Sequence, residues 1–172
     1  IYTLGWDPQA GRVRLREYDP GFYFPVPQAG DQEFPSKVHL AWEEASPELR
    51  RQGKVRIARK TWHVRPSDDG MMRSYPWNNT PSRMVCYYTD ATFELKDVGR
   101  GGVDDLNESS AVYATDEHGE IRDRDVGVDF IPVINVPNTV DDGDGWGIPS
   151  TFAVAQLLDE LQQNDTNISA AA

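Results

Sequence analysis

Carboxylates are the residues of this chain best suited to chemistry, and their spacing decides what they could do. Asp68-Asp69, Asp104-Asp105 and Glu43-Glu44 offer acid–base groups. A glycosidase, however, needs two carboxylates facing each other across a sugar, usually from different strands. Neighbours along the chain do not deliver that, and such runs are read as solvated loop charge. Asp141-Asp142-Gly143-Asp144-Gly145 gathers hard oxygens of the kind that suit Ca²⁺ or Mg²⁺. Counted from Asp142, the fifth loop position is Trp146 and the twelfth is Ala153, so the oxygen ligands an EF-hand needs there are missing. Asp141, Asp142 and Asp144 stand as a weak cation candidate against the reading of a flexible acidic loop.

Other reactive groups are dispersed. His39, His63 and His118 lie far apart with no ligand-type spacing, which argues against zinc. Of these, His39 is expected at the surface of a strand or half-buried in it, and His118 beside Gly119 is expected in a turn. Cys86, flanked by Val85 and Tyr87, reads as a small buried strand residue, and a single cysteine excludes an internal disulfide framework. No GxxxxGK[ST] phosphate loop is present, and Gly99-Arg100-Gly101-Gly102 is not followed by helical periodicity. The expectation is a protein without catalytic residues and without a cofactor.

The elements that would hold these groups are mostly strands. Residues 1–6 and 12–17 are strand-like and joined through Gly11, which can supply a positive φ in a hairpin turn. Residues 37–43 and 54–62 alternate with period two, placing Val38, Leu40 and Trp42 on one face of the first, and Val55 and Ile57 together on the second. Between them, Ser46 as N-cap, Pro47 in the first turn and Gly53 at the end predict one or two turns of helix. Residues 67–81 read as a long polar loop. Residues 84–95 form a long strand with 111–115 as its partner, and 116–120 a tight turn.

The run 130–139 is rich in β-branched residues and stopped by Pro137-Asn138, which predicts a strand buried on both faces. After Ser150 as N-cap, Val154, Leu157, Leu158 and Leu161 recur at helical spacing and predict a packing stripe. The expected fold class is therefore α+β, mostly β: an antiparallel or mixed twisted β-sheet domain over 1–149, followed by a C-terminal α-helix over 150–172. With no Met at Ile1 and no stop before Ala172, the chain is expected to be an internal piece of a longer protein.

Size and charge bound the function classes. A chain of 172 residues suits one domain with an ordinary core. Its net charge of −11, from 28 acidic and 17 basic residues, argues against tight nucleic-acid binding, which is driven by Lys and Arg displacing condensed counterions. Hydrophobic residues make up 38% of the chain, enough to fold, yet no apolar run is long enough to span a bilayer. Without a recognisable signal peptide, the cytosol is the default compartment.

Several patches carry a resemblance. Ile131-Pro132-Val133, Pro137-Asn138-Thr139, Trp146-Gly147 and Leu157-Leu158-Asp159-Glu160-Leu161-Gln162 occur in the order seen at the wing–stem junction of tailed-bacteriophage portal proteins, particularly those of actinobacterial phages. Gly5-Trp6-Asp7 with 12–16, Tyr18-Asp19-Pro20 with 22–25, and Tyr75-Pro76-Trp77-Asn78 with 88–93 fit the same family. The chain thus resembles the wing domain and the start of the stem-leading helix. The clip, the crown and most of the stem have no counterpart here.

The resemblance implies a structural role: a homo-oligomeric ring at one capsid vertex, the channel for packaging and ejecting double-stranded DNA. It implies identical subunits, capsid, terminase and head–tail connector proteins as partners. The implied location is the virion, with the host cytoplasm during assembly. No activity is implied in the portal, because the terminase hydrolyses ATP. Its many aromatics beside carboxylates keep a second expectation open, a β-rich carbohydrate-binding or glycan-hydrolysing domain.

Overall fold

The computed structural model describes residues 1–7, 9–28, 31–95, 106 and 110–136. Ile1–Ile134 form one compact unit. Its strands are β1 (Tyr2–Asp7), β2 (Arg12–Glu17), β3 (Tyr23–Gln28), β4 (Asp31–Glu44), β5 (Val55–Pro66), β6 (Met84–Leu95), β7 (Ala111–Tyr113), β8 (Thr115–Asp116), β9 (Gly119–Glu120), β10 (Arg124–Asp125) and β11 (Val133–Ile134).

The long strands β3 to β6 build an antiparallel sheet in the order β10-β6-β5-β4-β3, with β7 also on β6. Its spine is the pairing of β5 with β6, in register from Val55 opposite Leu95 to Pro66 opposite Met84. A second sheet, β11-β1-β2, is held by the β1–β2 hairpin, in which Gly11 takes φ +58°. The two sheets share one core in a sandwich-like arrangement. Ile1 lies with Val38, Leu40, Trp62 and Cys86, and Tyr18, Ile131 and Val133 pack against them.

The alternation expected of 37–43 holds, as Val38 and Leu40 are 1% and 0% exposed on the face toward the small sheet. The opposite face is closed too. His39 is only 2% exposed, with Nδ1 2.8 Å from Thr61 Oγ1, so it is a core residue and not the surface or half-buried one expected. Phe93, 0% exposed, lies under the Arg59 guanidinium at 4.6 Å, and Tyr87 lies under that of Arg65 at 4.1 Å.

The short helix α1 (Pro47–Arg51) forms where its caps demand. Ser46 Oγ accepts from the Leu49 N–H at 3.4 Å, and Gly53 follows with φ +65°. Ala111–Tyr113 pairs with β6 as expected. The turn after it is a small hairpin, β8 to β9, with Gly119 at φ +97°.

Two further expectations are corrected. The run at 130–136 is not a strand buried on both faces. Only Val133–Ile134 pair, on the outer side of β1, and Phe130, Ile134 and Val136 are 44%, 44% and 60% exposed. The fold class is also corrected from α+β to mostly β. Among the described residues, α1 and a 3₁₀ turn at Pro20–Phe22 are the whole helical content, so the described fold is a sheet sandwich without a C-terminal helix. The physical reason is the period-two patterning from β4 to β6, which commits the long elements to one extended antiparallel ladder. The expected stripe Val154, Leu157, Leu158 and Leu161, and the boundary at 149, lie outside the described residues.

Candidate functional site

Of the features of the described surface, the hairpin β1–β2 departs furthest from ordinary soluble β-structure. In register, Trp6 lies opposite Val13, Leu4 opposite Leu15 and Tyr2 opposite Ile134, so these six side chains share one face of the small sheet. That face points outward. Trp6 is 67% exposed, Leu15 64% and Val13 60%.

The inward face carries Ile1 and Val133 into the core at one end and is polar along the rest of the hairpin. Its polar row consists of Thr3, Gly5 and Asp7 on β1, and Arg12, Arg14 and Arg16 on β2. Toward the hairpin tip the sheet therefore carries apolar residues on its outer face and polar and charged ones on the face turned to the body of the domain, the reverse of the usual antiparallel pattern. An outward apolar face of this kind marks an interaction surface.

Between the polar row and the large sheet lies a cleft of about 330 Å³, lined by Thr3, Asp7, Arg14, Arg16, Lys60, Trp62 and Tyr88 among others. Its floor is held rigidly. The Lys60 ammonium donates to Asp90 and, at 3.1 Å, to Tyr88 Oη, which itself donates to Asp90 Oδ2 at 3.1 Å. Trp62 packs on the Tyr88 ring at a centroid distance of 5.0 Å. Burial, reinforced by the Asp90 carboxylate, pushes the Tyr88 hydroxyl pKa far above the tyrosine range, so it stays protonated and serves as a fixed donor. At the lip, Arg14 Nε meets Asp7 Oδ2 at 2.7 Å. The Arg16 side chain makes no ion pair among the described residues.

The sequence candidates are placed as follows. Asp68 is tied to Arg65, and Asp69 accepts from Ser67 and from the Met71 N–H at 2.8 Å. Glu43 is held by Arg50 at 2.8 Å. These carboxylates brace neighbouring cations and hydroxyls, and no two of them face each other across a cleft. Asp104, Asp105, Gly99 to Gly102, and the cation candidates Asp141, Asp142 and Asp144 lie outside the described residues. Among the described residues, no group of three or more His, Cys, Asp or Glu side chains is arranged to hold a metal.

Cys86 is 0% exposed, and burial pushes its thiol up to about 12, as a packing residue requires. His118 sits in the β8–β9 turn. The polar loop 67–81 is pinned through Asp129, which accepts from Trp77 Nε1 at 2.7 Å and from Asn78. Tyr75 stacks on Trp77, and Phe130 meets Trp77 edge-on.

Sequence reasoning missed the cleft and the inverted hairpin. The signal was available in residues 12–16, where Arg, Val, Arg, Leu and Arg alternate strictly, but alternation alone does not say which row faces inward. No protein-family model, curated protein or solved structure matches this chain. Among the described residues no helix is long and apolar enough to cross a membrane.

Proposed function

We propose that this chain is a structural β-domain of a ring-forming subunit of the tailed-bacteriophage portal type, whose outward apolar face is covered by the neighbouring subunit. The reading rests on the portal-like sequence patches, and one observation carries it toward assembly: the outward row of Tyr2, Leu4, Trp6, Val13, Leu15 and Ile134. Burying Trp6, Val13 and Leu15 against a neighbour would release about 1.5–3 kcal/mol for each side chain. A heterologous contact of this sort closes into a ring when its rotation closes.

On the same reading the domain carries no chemistry of its own. Its tyrosines, carboxylates and cations serve as braces, in pairs such as Arg56 with Glu94 and Arg124 with Asp116. The net charge of −11 suits a channel wall that must let double-stranded DNA slide, since dense phosphate contacts would hold it. Capsid, terminase and head–tail connector proteins would be its other partners, at the portal vertex of the virion. A glycan site has less support, because Asp7 at the cleft is engaged by Arg14, and Asp90, behind its floor, by Lys60.

Sedimentation velocity and electron microscopy of the full chain test the proposal. Closed oligomers that dissociate in a Trp6→Ser, Leu15→Ser variant of unchanged thermal stability are the expected result. A wild-type chain that stays monomeric at every concentration would overturn it.

A further inference from the structure

Strand β2 is the edge of its sheet: among the described residues it pairs with β1 alone, and all six of its residues are exposed. The direction of its free hydrogen-bonding groups follows from the ladder. Ile1 and Tyr18 exchange both backbone hydrogen bonds, at 2.8 and 3.2 Å, so the antiparallel alternation makes Thr3–Arg16, Gly5–Arg14 and Asp7–Arg12 the hydrogen-bonded pairs. Leu4 agrees, since its N–H turns the other way, to Pro132 O at 2.8 Å. The backbone groups of Val13, Leu15 and Glu17 therefore face the open edge.

A strand added there would meet two different rows. On the inward side lie Arg12, Arg14 and Arg16, of which Arg14 and Arg16 line the cleft whose floor holds the Lys60–Asp90 pair. On the outward side lie Val13 and Leu15.

We propose that β2 is a docking edge for an extended acidic segment of another protein, added as an antiparallel or parallel strand, with carboxylates at alternate positions toward the arginine row and apolar residues between them toward Val13 and Leu15. Charge complementarity selects this occupant. Three arginines in five residues form a basic strip on a chain of net charge −11, and although Asp7 of the same row holds Arg14 Nε at 2.7 Å, the strip keeps an excess of positive charge. The described strands of a second copy fit poorly. A second β2 would bring arginine rows together, the β3 edge carries Pro25 and Pro27, and β7, β10 and β11 are two or three residues long. Strand addition supplies affinity through main-chain hydrogen bonds and specificity through alternate side chains. The proposal goes beyond the assembly reading, adding a second partner at the strand edge beside the face that the neighbouring subunit covers.

The test is fluorescence anisotropy of the full chain with a labelled seven-residue peptide alternating aspartate and valine, beside the same peptide with lysine for aspartate. Saturable binding of the acidic peptide alone is expected, weakened tenfold or more by Arg14→Glu with Arg16→Glu. Leu15→Pro, which removes an edge N–H without touching the β1–β2 ladder, should weaken it equally, while Leu15→Thr should retain most of it. Thermal melts of each variant establish that the domain is folded.

Equal binding of both peptides, or none of either, would overturn the inference and show the arginines only to guard a bare edge. Competition by a duplex DNA oligomer with Leu15→Pro without effect would also overturn it, making the strip a phosphate contact. Closed rings without peptide binding would remove this inference and leave the assembly reading standing.

Discussion

Tyr88 donates to Asp90, two residues along the same strand, at 3.1 Å, and both groups receive the Lys60 ammonium from the neighbouring strand. Within this trio the Tyr88 hydroxyl is held in its protonated form. The folded-state pKa of Tyr88 is raised above its unfolded value, chiefly by burial and then by the Asp90 carboxylate. Its stabilising contribution is therefore complete below the ordinary tyrosine value of about 10 and is lost as pH rises beyond it. Alkaline titration followed at 295 nm should show Tyr88 ionising only together with unfolding. A reversible Tyr88 titration near pH 10 in the folded protein would contradict the geometry.

Leu40 and Leu15 make a matched pair for the sandwich arrangement, being 0% and 64% exposed. Leu40→Ala should cost about 2–5 kcal/mol in urea unfolding, as a cavity between two sheets does. Leu15→Ala should stay within about 0.5 kcal/mol in the dissociated chain. Similar costs at both positions would mean that the small sheet does not pack as described.

Cys86 offers a kinetic readout of the same core. With its thiol at 0% exposure and pushed up to about 12, alkylation by iodoacetamide at pH 8 should be limited by opening of the β5–β6 region. Its rate should rise with urea in parallel with unfolding. Fast alkylation in native buffer would place Cys86 outside the core.

Asp116 supplies the acid limb. Arg124 and the His118 N–H hold its carboxyl down to about 2, so its contribution is present above the unfolded value of 3.8 and fades as pH falls toward 2. Because the group is exposed, the effect is small and screened by salt. Comparing urea midpoints of wild type and Asp116→Asn between pH 5 and 2 should show the wild-type advantage shrinking through that window, and shrinking less sharply at 1 M salt. A constant difference across the window would remove Arg124 as the cause.

Local rules made much of this domain legible in its residues. Gly11 closes the first hairpin, Ser46 and Gly53 bracket α1, and period-two patterning marks 37–43, 54–62 and 84–95 as strands. Each of these depends on groups within a few residues of one another, so the order of side chains alone determines them. Tertiary pairing decided the rest. Whether a row faces inward depends on what lies across from it, which is why His39 is buried, why the run at 130–136 contributes only two paired residues on the outside of β1, and why Arg14 and Arg16 line the cleft while Trp6 and Leu15 lie on the opposite face. The cleft joins residues near position 3 to residues near 60 and 90, brought together by a strand register that no local periodicity encodes.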